Sequence, residues 1–192
     1  MVIVFLGADG SGKSTIINQF CDHITDDWAE IKYVHFRPTY LLKGRSSQEV
    51  VTNPHEGKSR GIMMSFLKLM LFVAEYNWAF YFHYRKPKQL IVFDRYYYDI
   101  LADPLRTKIS SPKWLIKSIG RLIPNPGLVF YFDASVETLY ERKQEVEKKV
   151  LQRILRNYLD MAEHYSFHVV STETSIDSTL EQVISTYQAY RI

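Results

Sequence analysis

The sequence predicts an α/β fold: a five-stranded parallel sheet covered by helices on both faces. Short apolar runs recur at Val2 to Leu6, Ile31 to Phe36, Leu90 to Phe93, Leu128 to Phe132 and Phe167 to Val170. Runs of this length, separated by helical patterns, suit strands buried on both faces of a sheet. The first run leads directly into a glycine-rich turn, Gly7-Ala8-Asp9-Gly10-Ser11-Gly12-Lys13-Ser14-Thr15, and a helical pattern follows it. That strand, turn and helix order opens many parallel α/β sheets.

Apolar periodicity places helices at about Lys13 to His23, Ser59 to Tyr84, Pro112 to Leu122, Val136 to Gln144, Lys148 to His164 and Ser178 to Tyr190. Pro38, Pro54, Pro87, Pro104 and Pro124 fall between these segments, where a missing N–H does no damage. The stretch Ile62 to Phe82 is the most apolar, but Ser65, Lys68, Glu75 and Asn77 interrupt it. It is expected to be a central helix rather than a membrane span. Most of its Met and aromatic residues (Met63, Met64, Phe66, Met70, Phe72, Tyr76, Trp78, Phe80, Tyr81, Phe82, with Tyr84 beyond) are expected in the core, leaving Phe66 or Tyr76 to line a pocket. No linker or repeat divides the 192 residues, so a single domain over 1–192 is expected.

Composition narrows the class of partner. The formal charge is +3, and the basic residues are scattered through Lys43 to Arg60, Arg85 to Lys88 and Arg142 to Arg153. Anionic small molecules fit this better than a nucleic-acid groove does. Cys21 is the single cysteine, which excludes an intrachain disulfide and suits a reducing compartment. The apolar start stops at Gly7 and lacks a basic leader, so no secretion signal is expected and the cytoplasm is the expected location.

The glycine-rich turn has the spacing G-x-x-x-x-G-K-[ST]. Its backbone N–H groups converge on phosphate oxygens; Asp9, Gly10, Ser11, Gly12, Lys13, Ser14 and Thr15 are the expected nucleotide contacts, with Lys13 on the outer phosphates and the Ser14 hydroxyl on Mg²⁺. Ligands of open parallel sheets sit at the carboxyl ends of the strands. There the sequence carries Arg37-Pro38-Thr39, Asp94-Arg95-Tyr96-Tyr97-Tyr98-Asp99 and Asp133-Ala134-Ser135. Asp94 is placed to hold a metal-bound water or take an acceptor proton; the alternative is a helix cap or a partner for Arg95. Arg37 and Arg95, at neighbouring strand ends, can grip one acceptor phosphate between them. Asp9 is expected to face the acceptor, with a loop-stabilising hydrogen bond as its alternative. The charged run from Glu141 to Lys149 suggests a short lid at about 142–150 that delivers Arg142, Lys143 or Arg153 to the transferring phosphate, although solvated helical charge explains it nearly as well. Lys13, Asp94, Arg95 and Arg142 are therefore the candidate catalytic groups, and Ser14 and Asp94 the candidate metal contacts. The histidines show no metal-ligand spacing.

The segments GADGSGKST, FRPT and FDRYYYD, in this order and spacing, resemble the thymidylate kinase family of nucleoside monophosphate kinases from residue 1 to about 165. The resemblance implies a three-layer P-loop kinase fold, ATP as donor with Mg²⁺, a nucleoside monophosphate such as dTMP as acceptor, and a homodimer through helix packing. It also implies that Asp9 faces the acceptor sugar, and that Arg37 and Arg95 hold the acceptor phosphate; Phe66 and Tyr76 complete the expected acceptor set. Two features depart from the pattern. Tyr76 stands where the family usually has a phosphate-gripping arginine, and the lid interval is short and reads KQEVEKK. The segments DRYYYDILADPLR and DASVETLYERKQE are similar to a divergent, thymidylate kinase-like branch. This similarity implies that Asp103 and Arg106 belong to its acceptor site, and a sugar or surface-polysaccharide precursor is the alternative acceptor. An ATP-binding switch module is the alternative of another class; no guanine-reading N-K-x-D segment occurs.

Overall fold

The computed structural model describes residues 1–41, 61–144 and 146–191. The expected helix start at Ser59, the turn at Pro54 and the whole basic stretch Lys43 to Arg60 lie outside the described residues. Five parallel strands, β1 (Val2–Leu6), β2 (Glu30–His35), β3 (Gln89–Asp94), β4 (Leu128–Asp133) and β5 (His168–Ser171), form one sheet in the order β2-β3-β1-β4-β5. β1 pairs with β3 on one side and β4 on the other. The crossover direction therefore reverses at β1, and this leaves a crevice at its carboxyl end.

The helices are α1 (Lys13–His23), α2 (Ile62–Phe82), α3 (Tyr98–Ala102), α4 (Lys113–Gly120), α5 (Val136–Arg142), α6 (Lys148–Tyr165) and α7 (Ile176–Arg191). Alternate residues of each strand feed opposite faces. Ile3, Phe5, Leu90, Val92, Phe130 and Phe132 pack under α1 and α7 with Ile16, Phe20, Val183 and Tyr187. Val4, Leu6, Ile91, Phe93 and Tyr131 pack under α2, α4 and α6 with Leu69, Phe72, Tyr76, Ile116 and Tyr158. A third, smaller cluster of Ala8, Ala134, Leu139, Leu151 and Leu155 joins α5 and α6 to the first loop.

Three features of the fold bear on the expectations. The five-residue α3 has too few positions to show a helical period, and the sequence pattern passes over it. Within the expected lid at about 142–150, Arg142 ends α5 and Lys148 to Val150 begin α6, while residues 143, 144, 146 and 147 between them lie outside helices. On α2, the buried residues are Ser65, Leu69, Phe72, Glu75, Tyr76 and Ala79, a single stripe. Met63, Met64, Phe66, Met70, Trp78, Tyr81 and Phe82 are exposed among the described residues. A helix that is apolar all round presents only one face to the sheet, and the rest of its apolar surface stays outside. No helix among the described residues is long and apolar enough to cross a membrane.

Candidate active site

The glycine-rich loop closes tightly over the end of β1. A Cβ on Gly7, at φ 147°, would come within 2.9 Å of the Phe132 carbonyl oxygen, and Gly12, at φ 77°, turns the chain into α1 in a left-handed conformation. Lys13 folds back over the loop, and its Nζ donates to the carbonyls of Gly7 and Ala8 at 2.8 Å each and to Ser11 Oγ at 3.3 Å. Burial, followed by the nearby Arg95 charge, pulls the Lys13 ammonium down to about 8, even though Asp9, Asp94 and Asp99 oppose the shift. Ser14 and Thr15 are exposed at the mouth of the loop.

Asp94 ends β3 and is buried. Its Oδ2 accepts from the Tyr33 hydroxyl at 2.8 Å and lies 3.4 Å from His35 Nδ1, both on the neighbouring β2. Its Oδ1 is buried with no hydrogen-bond partner. Burial alone would raise the Asp94 carboxyl, but His35, Lys13 and Tyr33 outweigh it and hold the carboxyl below its ordinary value. The orphaned carboxylate oxygen of Asp94, at the end of β3, and the exposed Ser14 hydroxyl, at the mouth of the loop, are of the donor type that suits Mg²⁺, which uses one or two protein oxygens and takes the rest from phosphates and water. Among the described residues no group of three His, Cys, Asp or Glu side chains forms a metal cluster.

Arg95 follows at φ 75°, a conformation costly for a non-glycine residue, and its N–H donates to the Phe5 carbonyl at 2.9 Å. Its guanidinium is buried between two carboxylates: Nη2 pairs with Asp9, and Nη1 lies 2.9 Å from Asp99 Oδ1. Asp99 also accepts from the Tyr158 hydroxyl at 2.7 Å and the Tyr96 N–H at 2.9 Å. Burial works against the Arg95 charge, yet Asp99 and Asp9 overcome it and raise its affinity for the proton. The second oxygen of Asp9 pairs with Arg106.

Arg37 is placed by a second strained residue. Phe36, at φ 62°, forms a γ-turn in which the Arg37 N–H donates to the His35 carbonyl at 2.8 Å. Arg37 Nη1 is buried without a hydrogen-bond partner, 3.8 Å from Glu75 Oε1, and its guanidinium lies 5.1 Å from the centre of the Phe72 ring. Arg37, Lys68, Phe72, Arg95 and Arg106 line a cavity of about 330 Å³. That is within the roughly 300–1,000 Å³ range of small-molecule sites.

The structure thus gathers Asp9, Lys13, Arg37, Asp94 and Arg95 at one end of the sheet, with Arg142 beside the phosphate loop, and leaves Tyr76 and Phe66 out of the cavity lining. Tyr76 is fully buried and donates its hydroxyl to the Phe36 carbonyl, so it supports the turn that carries Arg37 rather than lining the cavity. Phe66 is 41% exposed and is not among the described residues lining the cavity; Phe72, on the sheet side of the same helix, is. Arg142 stands on the donor side, where it donates to the carbonyls of Gly10 at 3.4 Å and Thr172 at 3.1 Å. Lys143 borders the small space under α6, with Asp9 and Arg106, while Arg153 is exposed. Sequence reasoning missed Glu75, Lys68 and Tyr158. Glu75 looks like a mere interruption of an apolar run, but its Oε2 accepts from the Tyr40 and Leu41 N–H groups at 2.8 and 3.3 Å.

The thymidylate kinase family model matches residues 5–183. The chain belongs to the thymidylate kinase family. It is accordingly an ATP-dependent kinase with the family's five-stranded parallel sheet. A probable thymidylate kinase of Methanocaldococcus jannaschii is 28% identical over 190 residues, covering 96% of this chain and 94% of the relative. A probable thymidylate kinase 1 of Saccharolobus solfataricus is 26% identical, covering 97% and 96%. Among solved structures, the thymidylate kinase of Ehrlichia chaffeensis superposes with a TM-score of 0.68 at 20% identity, covering 98% of both chains. Deoxyadenosine kinase of M. mycoides superposes at 0.61 and 17%, covering 98% of this chain and all of that one. At these identities the two structures are likenesses of fold.

Proposed function

We propose that this kinase transfers the γ-phosphate of ATP, with Mg²⁺, to a nucleoside monophosphate, with dTMP as the first candidate. The carrying observation is Arg37 Nη1, a buried cationic donor without a hydrogen-bond partner that borders a cavity next to the phosphate loop. An acceptor phosphate satisfies that donor and offsets the cations around it. The loop amides and Lys13 hold the donor phosphates. Ser14 and Asp94 are the residues that would hold Mg²⁺, which would supply positive charge against the charge developing during transfer. Arg95, fixed between Asp9 and Asp99, supplies positive charge at the junction without reorganising. The names of the curated relatives support dTMP.

A second reading is favoured by the acidic side chains around the smaller cavity, where Asp9, Asp99 and Asp103 stand together. Carboxylates suit the hydroxyls of a sugar or glycan precursor as acceptor. Incubation with ATP, Mg²⁺ and a panel of nucleoside monophosphates, nucleosides and sugars, followed by ADP release, separates the two. ADP release that depends on dTMP is the expected result; release with sugars alone overturns the monophosphate assignment, and no acceptor-dependent release with any of them returns the chain to a nucleotide-binding switch. The exposed apolar face of α2 and the resemblance together support a homodimer, which light scattering on the eluting protein tests. The single half-buried cysteine supports a reducing, cytoplasmic setting.

A further inference from the structure

We infer that Arg106 is a second phosphate-gripping residue of the acceptor site, facing Arg37 across the cavity and held ready by Asp9. The inference rests on the monophosphate reading above and adds to it a residue outside the strand-end motifs. Arg95 is a poor candidate for making new contacts: its side chain is 7% exposed, and its two terminal nitrogens are committed to Asp9 and Asp99. Arg106 differs in both respects. Its side chain is 31% exposed, and its Nη1 pairs with Asp9 on the phosphate loop itself. It also borders both the 330 Å³ cavity and the smaller one under α6, so it stands at the junction of the two.

The backbone under Arg106 is rigid. Its N–H donates to Asp103 Oδ1 at 3.3 Å, the Ile109 N–H donates to the Pro104 carbonyl at 3.0 Å, and Lys68 Nζ donates to the Thr107 carbonyl at 2.5 Å. Asn157 of α6 holds the Ala102 carbonyl at 2.9 Å. Such a pinned turn places a guanidinium with little ordering cost on binding. The carboxylate of Asp9 bridges Arg95 and Arg106 as a phosphate would, two oxygens on two guanidinium groups. When an acceptor phosphate enters, Arg106 exchanges the carboxylate for it, and Asp9 turns to the acceptor's hydroxyls.

The test is steady-state kinetics of wild type, Arg106→Gln, Arg106→Lys and Asp9→Asn, and of the Asp9→Asn/Arg106→Gln double variant, with dTMP or whichever monophosphate the acceptor panel selects. Arg106→Gln is expected to lower kcat/KM for the acceptor about 10- to 100-fold, as loss of a charge-assisted contact does, with KM for ATP changed less than about twofold. Arg106→Lys should recover part of the loss. The double variant should be worse than Asp9→Asn alone, because Arg106 contacts the phosphate and does more than brace Asp9. An Arg106→Gln enzyme with unchanged acceptor kcat/KM, or a double variant no worse than Asp9→Asn, overturns the inference while leaving the monophosphate reading intact. A wild type that phosphorylates no monophosphate removes that reading, and this inference with it.

Discussion

Lys13 carries the sharpest pH dependence of any single residue in the site. Its ammonium, pulled down to about 8 by burial, deprotonates in the unliganded fold well before it does in an unfolded chain. Between about pH 8 and 10.5 the unfolded state therefore binds more protons, and Lys13 makes stability rise with pH across that window; below about 8 both states are charged and the full penalty of burying the charge is present. Phosphates restore the charge. ATP binding is thus expected to take up a proton near pH 8 and to weaken as pH rises above it, by up to about tenfold per pH unit. Calorimetry in buffers of different ionisation heat reads the proton directly, and a pH-independent affinity between 7 and 9.5 would contradict it. Lys13→Met keeps the stem and removes the charge. It should lose at least about 100-fold in phosphotransfer while remaining folded at pH 7, because removing a charge that burial disfavours offsets the hydrogen bonds lost at the Gly7 and Ala8 carbonyls. Asp99→Asn behaves oppositely. It leaves Arg95 with half of its buried countercharge and turns into a donor one of the two oxygens that accept from Arg95 and Tyr158 (Oδ1) and from the Tyr96 N–H (Oδ2), so it should destabilise by about 3 kcal/mol, measured by urea denaturation.

At the scale of elements, α2 builds the acceptor site while contributing little to its lining. Tyr76 holds the Phe36 carbonyl, and Glu75 holds the Tyr40 and Leu41 N–H groups, so two adjacent helix residues fix the segment that presents Arg37. Tyr76→Phe leaves the Phe36 carbonyl without that donor and should cost about 1–3 kcal/mol. Its kinetic signature should be a raised KM for the acceptor with KM for ATP unaltered, since the donor loop sits on β1 and α1. Equal damage to both constants would mean that Tyr76 supports the sheet as a whole. The strands, the glycine loop and the six longer helices were legible in the sequence because each has a period or a spacing that local chemistry enforces. Asp94 and Arg95 were legible for the same reason, as they end an apolar run beside a phosphate loop. The buried role of Tyr76 was not legible. A tyrosine on an apolar helix reads alike whether its hydroxyl meets a ligand or a carbonyl, and the positive φ of Phe36 that creates the demand leaves no mark in composition. Phe66 failed differently: on a helix apolar all round, periodicity does not single out the face that meets the sheet. Arg106 lies in a turn after a five-residue helix, about ninety-seven positions from its Asp9 partner, and nothing local announces that pairing.

On the scale of the molecule, two apolar clusters share one sheet, and the site lies at the end of the strands common to both. Phe5 and Phe132 belong to the cluster under α1 and α7; Leu6 and Phe93, beside them in the sheet, belong to the one under α2, α4 and α6. Melting either cluster exposes one face of every central strand, so neither survives alone, and unfolding is expected as one cooperative transition. The strand-end hydrogen bonds extend this coupling into the site. The Arg95 N–H donates to the Phe5 carbonyl and the Phe36 N–H to the Asp94 carbonyl, so the strand end that carries the phosphate loop, Asp94 and the turn that carries Arg37 are tied to one another through backbone. A nucleotide held in the loop then stabilises the whole chain. At one hundred times its dissociation constant ATP contributes about 2.7 kcal/mol, which for a chain of this size raises the midpoint by roughly 5–11 °C. Scanning calorimetry with and without Mg·ATP should show a single transition displaced as a unit, with the displacement absent in Lys13→Met. Two transitions, of which only one moves, would show that the clusters unfold separately and that the chain is not a single cooperative domain.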